Sequence, residues 1–178
     1  MTARSAQGPA EGADVWRGLA SLGAQRAAQA LATLAGSQVG VGPLRAEAAL
    51  KAPPGETGIL FEVGGRLTGR LGLFLDALTR RSLVRLLLDE EEPEAPAEMV
   101  VSALCELGNI VASQTVSAIA DALGAGITLS VPELVLERAG AAFVAAGSAR
   151  GAGALVFATE LAAPGAELCV LLVLAPDA

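Results

Sequence analysis

The residues of this chain best suited to chemistry lie between Ser102 and Pro132, in the segment VSALCELGNIVASQTVSAIADALGAGITLSVPEL. At about 100° per residue, Ser102, Glu106, Asn109, Ser113 and Ser117 fall on one narrow stripe of a helix starting near Ala97, while Val100, Leu104, Leu107, Val111, Ala118 and Ala122 gather roughly opposite. Glu106 and Asn109 are three apart, so their side chains sit on adjacent turns and can reach one external ligand together. One is a carboxylate that can meet positive charge; the other is a neutral carboxamide that can donate and accept. A merely solvated face would be rich in Lys, Arg and Glu, and Asn is a mediocre residue inside a helix because it competes for backbone hydrogen bonds. This stripe instead surrounds a single acid with small or uncharged residues. Gly124 and Gly126 stop the helix, and ITLSVPELVLE follows with strand-like alternation, in which Pro132 marks a strand edge or bulge.

Ser102, Glu106, Asn109 and Pro132 together fit the pattern Asp or Ser, three residues, Glu, two residues, Asn, twenty-two residues, Pro. This resembles the active-site signature of the CheC/CheX/FliY chemotaxis phosphatases. The resemblance implies an α+β fold of two related halves with pseudo-twofold symmetry, each half a long helix with antiparallel strands. It also implies removal of phosphate from the phosphoaspartate of a CheY-like response regulator. On that reading Asn109 holds the attacking water in line without adding like charge beside a phosphoryl dianion, and Glu106 anchors the regulator by pairing with a cation in its active site. Ser102 and Ser113 would lie against the partner, although a serine in a first turn that only bonds its own helix is equally ordinary. Pro132 would shape the neighbouring strand. The protein would need no cofactor or metal of its own, the Mg²⁺ belonging to the regulator. The alternative is a non-catalytic module of the same fold, binding a regulator or a flagellar-switch partner without hydrolysis.

The elements that must position these residues come in a repeated order. Residues 1–12 read as a disordered tail, and Asp14 as the N-cap of a helix running to Gly36. Strand candidates follow at Gln38 to Ala49, Thr57 to Val63 and Arg66 to Phe74. Asp76 caps the helix LTRRSLVRLLL, with Arg80, Arg81 and Arg85 on its polar side. EEEPEAPAE, residues 90–98, reads as an acidic linker, dividing a first half, 13–89, from a second, 99–178. In the second half the long helix precedes strand candidates at Ile127 to Glu137, Ala142 to Ala146, Gly153 to Glu160 and Ala166 to Leu174. Laying SLGAQRAAQALATLAG on NIVASQTVSAIADALG sets Asp14 opposite Ser102, Gly18 opposite Glu106 and Ser21 opposite Asn109. Pro43 falls one residue short of the position matching Pro132. The first half thus keeps the shape and loses the chemistry, leaving one working site.

The resemblance also brings in the deamidase CheD as a second candidate partner. No counterpart of LTRRSLVRLLL fits after VLLVLAPDA, so a CheD surface built there would be missing. A neighbouring subunit over that end would make a dimer; a chain simply trimmed there would stay a monomer.

Composition narrows the alternatives. The 178 residues are 53% hydrophobic but only 3% aromatic, which predicts a core of Leu, Val, Ile and Ala. With no histidine, a Ser-His-Asp triad or His metal site is impossible within the chain. Cys105 and Cys169 show no CxxC spacing and read as buried free thiols. A net charge of -7 and a pI near 4.6 argue against nucleic acid and for a protein partner. No uninterrupted apolar run reaches the ~20 residues of a membrane span, so the expectation is a cytoplasmic protein. The glycines of GVG at 40–42, VGG at 63–65 and GSARGAGA at 147–154 match no phosphate-binding loop and read as turns. Gly108, costing about 1 kcal/mol relative to Ala inside a helix, asks for a close approach by a partner or by the paired helix.

Overall fold

The computed structural model describes residues 9–48, 51–53, 55–90, 94–148 and 155–177. Two long helices dominate it: α1, Pro9–Ala35, and α3, Ala97–Leu123, each of 27 residues. Pro9 and Ala97, like Ala35 and Leu123, are 88 positions apart. Proline is well suited to the first turn, where its missing N–H is not needed. Both helices stop at a glycine with positive φ, Gly36 at 60° and Gly124 at 59°, and the Gly124 N–H closes on the carbonyls of Ala120 and Asp121. A shorter helix, α2, spans Ala77–Leu88. Its N-cap is Asp76, whose carboxylate accepts from the Thr79 N–H at 2.7 Å.

The strands are β1 (Gly40–Val41), β2 (Arg45–Glu47), β3 (Thr57–Gly65), β4 (Gly69–Leu75), β5 (Ile127–Leu129), β6 (Glu133–Val135), β7 (Val156–Ala163) and β8 (Leu168–Pro176). They form one sheet in the order β1-β7-β8-β4-β3-β5, with β2 also on β7, β6 also on β3 and every pairing antiparallel. The short strands cross over: β1 and β2 pair with the late strand β7, and β5 and β6 with the early strand β3.

Period-two alternation in the long strands builds two apolar faces. Ile59, Phe61, Val63, Leu71, Leu73 and Leu75 join Leu172 and Leu174 beneath α1, α2 and α3. Leu60, Phe74, Leu171 and Val173 face the other way and are covered by α4, Ala139–Ser148, through Ala139 and Phe143. The Phe74 and Phe143 rings meet edge to face, 5.5 Å between centroids. The core is aliphatic on the helix side except for Phe61 and Phe157.

Burial along the two long helices repeats with the same spacing. In α3 the buried positions are Val100, Leu104, Leu107, Gly108, Val111, Ala112, Thr115, Val116 and Ile119. Eighty-eight residues earlier, Leu19, Ala20, Gly23, Ala24, Ala27, Ala28 and Leu31 are buried in α1 and Trp16 is partly so. The helices pack together where Gly23 meets Thr115, since a Cβ on Gly23 would fall 2.9 Å from the Thr115 methyl. By length and composition α3 is the one helix among the described residues able to cross a bilayer. Here its apolar face packs into the core from Val100 to Ile119, while Ala118 is half-buried and Ala122, expected on that face, is exposed.

Several sequence expectations need correction. Residues 9–12, expected in a disordered tail, are the first turn of α1, and Asp14 is an exposed residue within that helix and not its cap; residues 1–8 lie outside the described set. Ala97 and Glu98, assigned to the linker, open α3, and Ala95 is buried in the core. Ala142 to Ala146, expected as a strand, lies in α4, because AGAAFVAAGS has the alanine content of a helix and its apolar run is too short for periodicity to decide. Gln38 to Ala49 and Ile127 to Glu137 are each two short strands and not one. The other strands lie within three residues of their expected limits, except that Gly153 is outside the described residues. VGG is strand and not turn, residues 63–65 ending β3, and of GVG, Gly40 and Val41 form β1 while Gly42 lies in the bulge that follows. Arg80 does not belong to the solvated side of α2: its Nη1 donates to the Thr57 hydroxyl at 3.1 Å, and that hydroxyl donates to the Leu136 carbonyl.

Candidate functional site

Helix α3 presents the motif to solvent. Ser102, Glu106, Asn109 and Ser117 are exposed and Ser113 is half-buried. Among the described residues, neither the Glu106 nor the Asn109 side chain carries a hydrogen bond or ion pair, so both are available to something outside the fold. Asn109 is therefore not a buried structural amide.

Gly108 lies between them on the opposite side of the helix and explains how α3 is seated. A Cβ there would meet Ile59 Cγ2 at 2.5 Å and Cδ1 at 3.0 Å. The approach that requires glycine comes from β3, and neither a partner nor α1 is involved. The helix thus rests its backbone on Ile59, directly beneath the turn bearing Glu106 and Asn109. Ile59 pairs with Leu134 of β6, two residues beyond Pro132, and α3 packs on β5 and β6 as well as β3.

Pro132 sits in the interruption between β5 and β6. Val63 pairs with Leu129 and Leu60 with Glu133, so Phe61 and Glu62 are opposed by three residues, Ser130, Val131 and Pro132. This is a bulge, the arrangement that tolerates a residue without an N–H. Ser130 is a residue that sequence reasoning passed over. Its N–H donates to the Glu62 carbonyl at 2.9 Å, its hydroxyl accepts from the Glu62 N–H at 3.0 Å, and the hydroxyl donates in turn to the Val131 carbonyl at 2.9 Å. A serine before an exposed valine and a proline carries little periodic signal of its own.

A similar bulge lies near α1, the helix without the motif's Glu and Asn. Val41 pairs with Leu161 and Arg45 with Ala158, leaving Gly42, Pro43 and Leu44 opposite Thr159 and Glu160. The Gly42 N–H donates to the Glu160 carbonyl at 2.8 Å. On α1 itself, Asp14 and Gly18 are exposed and Ser21 is half-buried. Neither a carboxylate at 18 nor a carboxamide at 21 is present.

The thiols differ from expectation. Both are free, but Cys169 is exposed and Cys105 half-buried. Burial of the sulfur pushes the Cys105 thiol above its ordinary pKa. Burial comes first for Cys169 too, followed by the negative charges of Glu160 and Asp76. Neither thiol is activated as a nucleophile.

A family model described as the CheC-like family matches residues 99–136, a span containing all four motif positions. The fold agrees with it. The chemotaxis protein CheX from Desulfovibrio desulfuricans superposes with a TM-score of 0.68 at 14% identity, over 90% of this chain and 99% of that one. FliY from Thermotoga maritima gives 0.66 at 19% identity, over 96% and 92%. CheX from Borrelia burgdorferi, solved in a complex with CheY, BeF3 and Mg²⁺, gives 0.64 at 16% identity, over 89% and 97%. A search of curated proteins finds no match. The chain thus has the fold of the CheC, CheX and FliY chemotaxis proteins, and its matched CheC-like segment is the one that carries Glu106 and Asn109.

Proposed function

We propose that this protein is a CheC-like phosphatase that hydrolyses the aspartyl phosphate of a CheY-type response regulator at a single site on α3. The observation that carries the reading is the solvent-facing pair Glu106 and Asn109, one turn apart on a helix seated by Gly108, within the CheC-like segment. The CheY partner of the Borrelia CheX points to the same class of regulator.

An acyl phosphate in a receiver domain already has Mg²⁺ and fixed positive charge around its phosphoryl oxygens; slow autohydrolysis lacks a water held in line with the scissile P–O bond. The Asn109 carboxamide orients that water. The water oxygen bonds to phosphorus, the bond to the aspartate oxygen breaks, and the aspartate carboxylate and inorganic phosphate separate. Glu106 pairs with a cation of the regulator and fixes the register of docking, with Ser102 and Ser113 beside it. Positioning of this kind lowers a barrier by several kcal/mol without a covalent intermediate. We further propose that the 88-residue repeat in helix limits and burial reflects an internal duplication whose α1 copy has lost its site.

The test is loss of phosphate from a phosphorylated CheY-like receiver, with wild-type protein, Asn109→Ala and Glu106→Ala. Acceleration by wild type that disappears in Asn109→Ala while binding persists is the expected result. Binding without acceleration across several receivers would replace this reading with a non-catalytic regulator-binding module.

A further inference from the structure

The two bulges differ in how they are held. Near α1 the bulge begins with Gly42, whose carbonyl accepts from the buried Thr159 hydroxyl at 2.8 Å, while Glu160 and Arg45, 3.8 Å apart, are both exposed. Beside α3 the bulge begins with Ser130, whose hydroxyl satisfies the Glu62 N–H that an unbroken strand would have bonded by a carbonyl. Glu62 is itself anchored: its Oε1 accepts from Arg70 Nε at 2.9 Å, with the Arg70 side chain only 5% exposed. Arg70 Nη1 donates to the Phe143 carbonyl of α4, and the guanidinium lies 4.8 Å from the centroid of the Phe143 ring. A run of contacts therefore passes through the sheet from α4, on the face opposite α3, to the turn containing Pro132. Both bulges are fixed by a hydroxyl, but the one beside the helix that carries Glu106 and Asn109 is tied through Glu62 to a buried arginine and α4.

We infer that Ser130 is a positioning residue, held by Glu62 and through it by Arg70, that fixes the Pro132 bulge beside the Glu106/Asn109 face and makes α4 a lever on that face from across the sheet. The inference rests on the reading of α3 as the working face, but its structural half can be tested without any activity. Ile59 supplies the last step, packed under Gly108 on one side and paired with Leu134 on the other. A bulge that shifts in register moves Leu134 against Ile59 and so disturbs the seat of α3. Phe143→Leu keeps the carbonyl that accepts from Arg70 but removes the ring against its guanidinium, and a buried guanidinium that loses that neighbour must find another or move.

Backbone amide exchange on the full chain decides the matter, using Ser130→Ala, Ser130→Thr, Glu62→Ala and Phe143→Leu. Leaving the Glu62 N–H without its partner speeds its exchange roughly five- to hundredfold. That rise is expected in Ser130→Ala, with recovery in Ser130→Thr, which keeps the hydroxyl. Glu62→Ala and Phe143→Leu are both expected to speed exchange in residues 127–136 and to leave β1 and β2 unchanged. Equal exchange in Ser130→Ala and Ser130→Thr would overturn the role of the hydroxyl, and a Phe143→Leu effect confined to α4 would overturn the lever. With a phosphorylated receiver, Ser130→Ala should raise KM severalfold more than it lowers kcat, a split that a general loss of folded protein does not produce. If wild type does not hydrolyse the receiver, the proposed function fails while the exchange results still decide the lever.

Discussion

At the scale of single residues, the candidate site depends on an absence as much as on the two polar groups. Asn109 and Glu106 are placed by Gly108, whose missing side chain lets α3 touch Ile59. Gly108→Ala should therefore destabilise the protein by about 1–3 kcal/mol through overpacking, even though alanine favours the helix by about 1 kcal/mol. Denaturant unfolding measures it, and Ile59→Ala, costly alone, should cost less in that background because the two share one space. Asn109→Ala should lower receiver dephosphorylation by about a hundredfold or more, with affinity changed little. Cys169, though exposed, should alkylate slowly at neutral pH. Its raised pKa keeps the thiol protonated, so the rate should climb only as pH passes above the ordinary thiol range, and Glu160→Gln should move that rise to lower pH, as read by mass spectrometry. The motif spacing was legible because it needs nothing but counting along one helix. Ser130, Glu62 and Arg70 were not legible, because their meeting depends on pairing β3 with β4 and with the 130–132 bulge, contacts of low sequence signal and long range.

At the scale of elements, long periodic segments declared themselves and short ones did not. α1, α2 and α3 follow from stripes of Leu, Val and Ala with a capping aspartate or a terminal glycine. Asp76→Ala should cost about 1 kcal/mol by leaving the Thr79 N–H without its carboxylate, a loss visible as a lower unfolding midpoint. α4 was misread because ten residues of small apolar type have no polar face to give a period; only the sheet supplies its partner, through Phe143 on Phe74. The split of each short strand into two was equally hidden, since a bulge is a property of the pairing with β3 or β7 and not of the strand by itself. The glycines marked these places but were read as turns, although Gly40 and residues 64–65 belong to strands.

At the scale of the whole molecule, the α+β class came with the resemblance that the motif carries and the order of helical and strand-like runs agreed with it, whereas the crossing of β1 and β2 onto β7, and of β5 and β6 onto β3, needed the folded chain. That exchange ties the two long helices to one sheet, and it puts α1 in a place comparable to that of α3. If α1 lacks only the reactive groups, then Gly18→Glu with Ser21→Asn, in an Asn109→Ala background, should restore measurable dephosphorylation of the receiver. No recovery would show that α1 lacks more than these two groups. The outermost strands have one more consequence. An eight-stranded sheet with apolar faces on both sides could recruit further copies of itself along its free margins and grow into fibres. Here each margin is cut into pieces of two or three residues by a bulge, too short and too bent to template a neighbour.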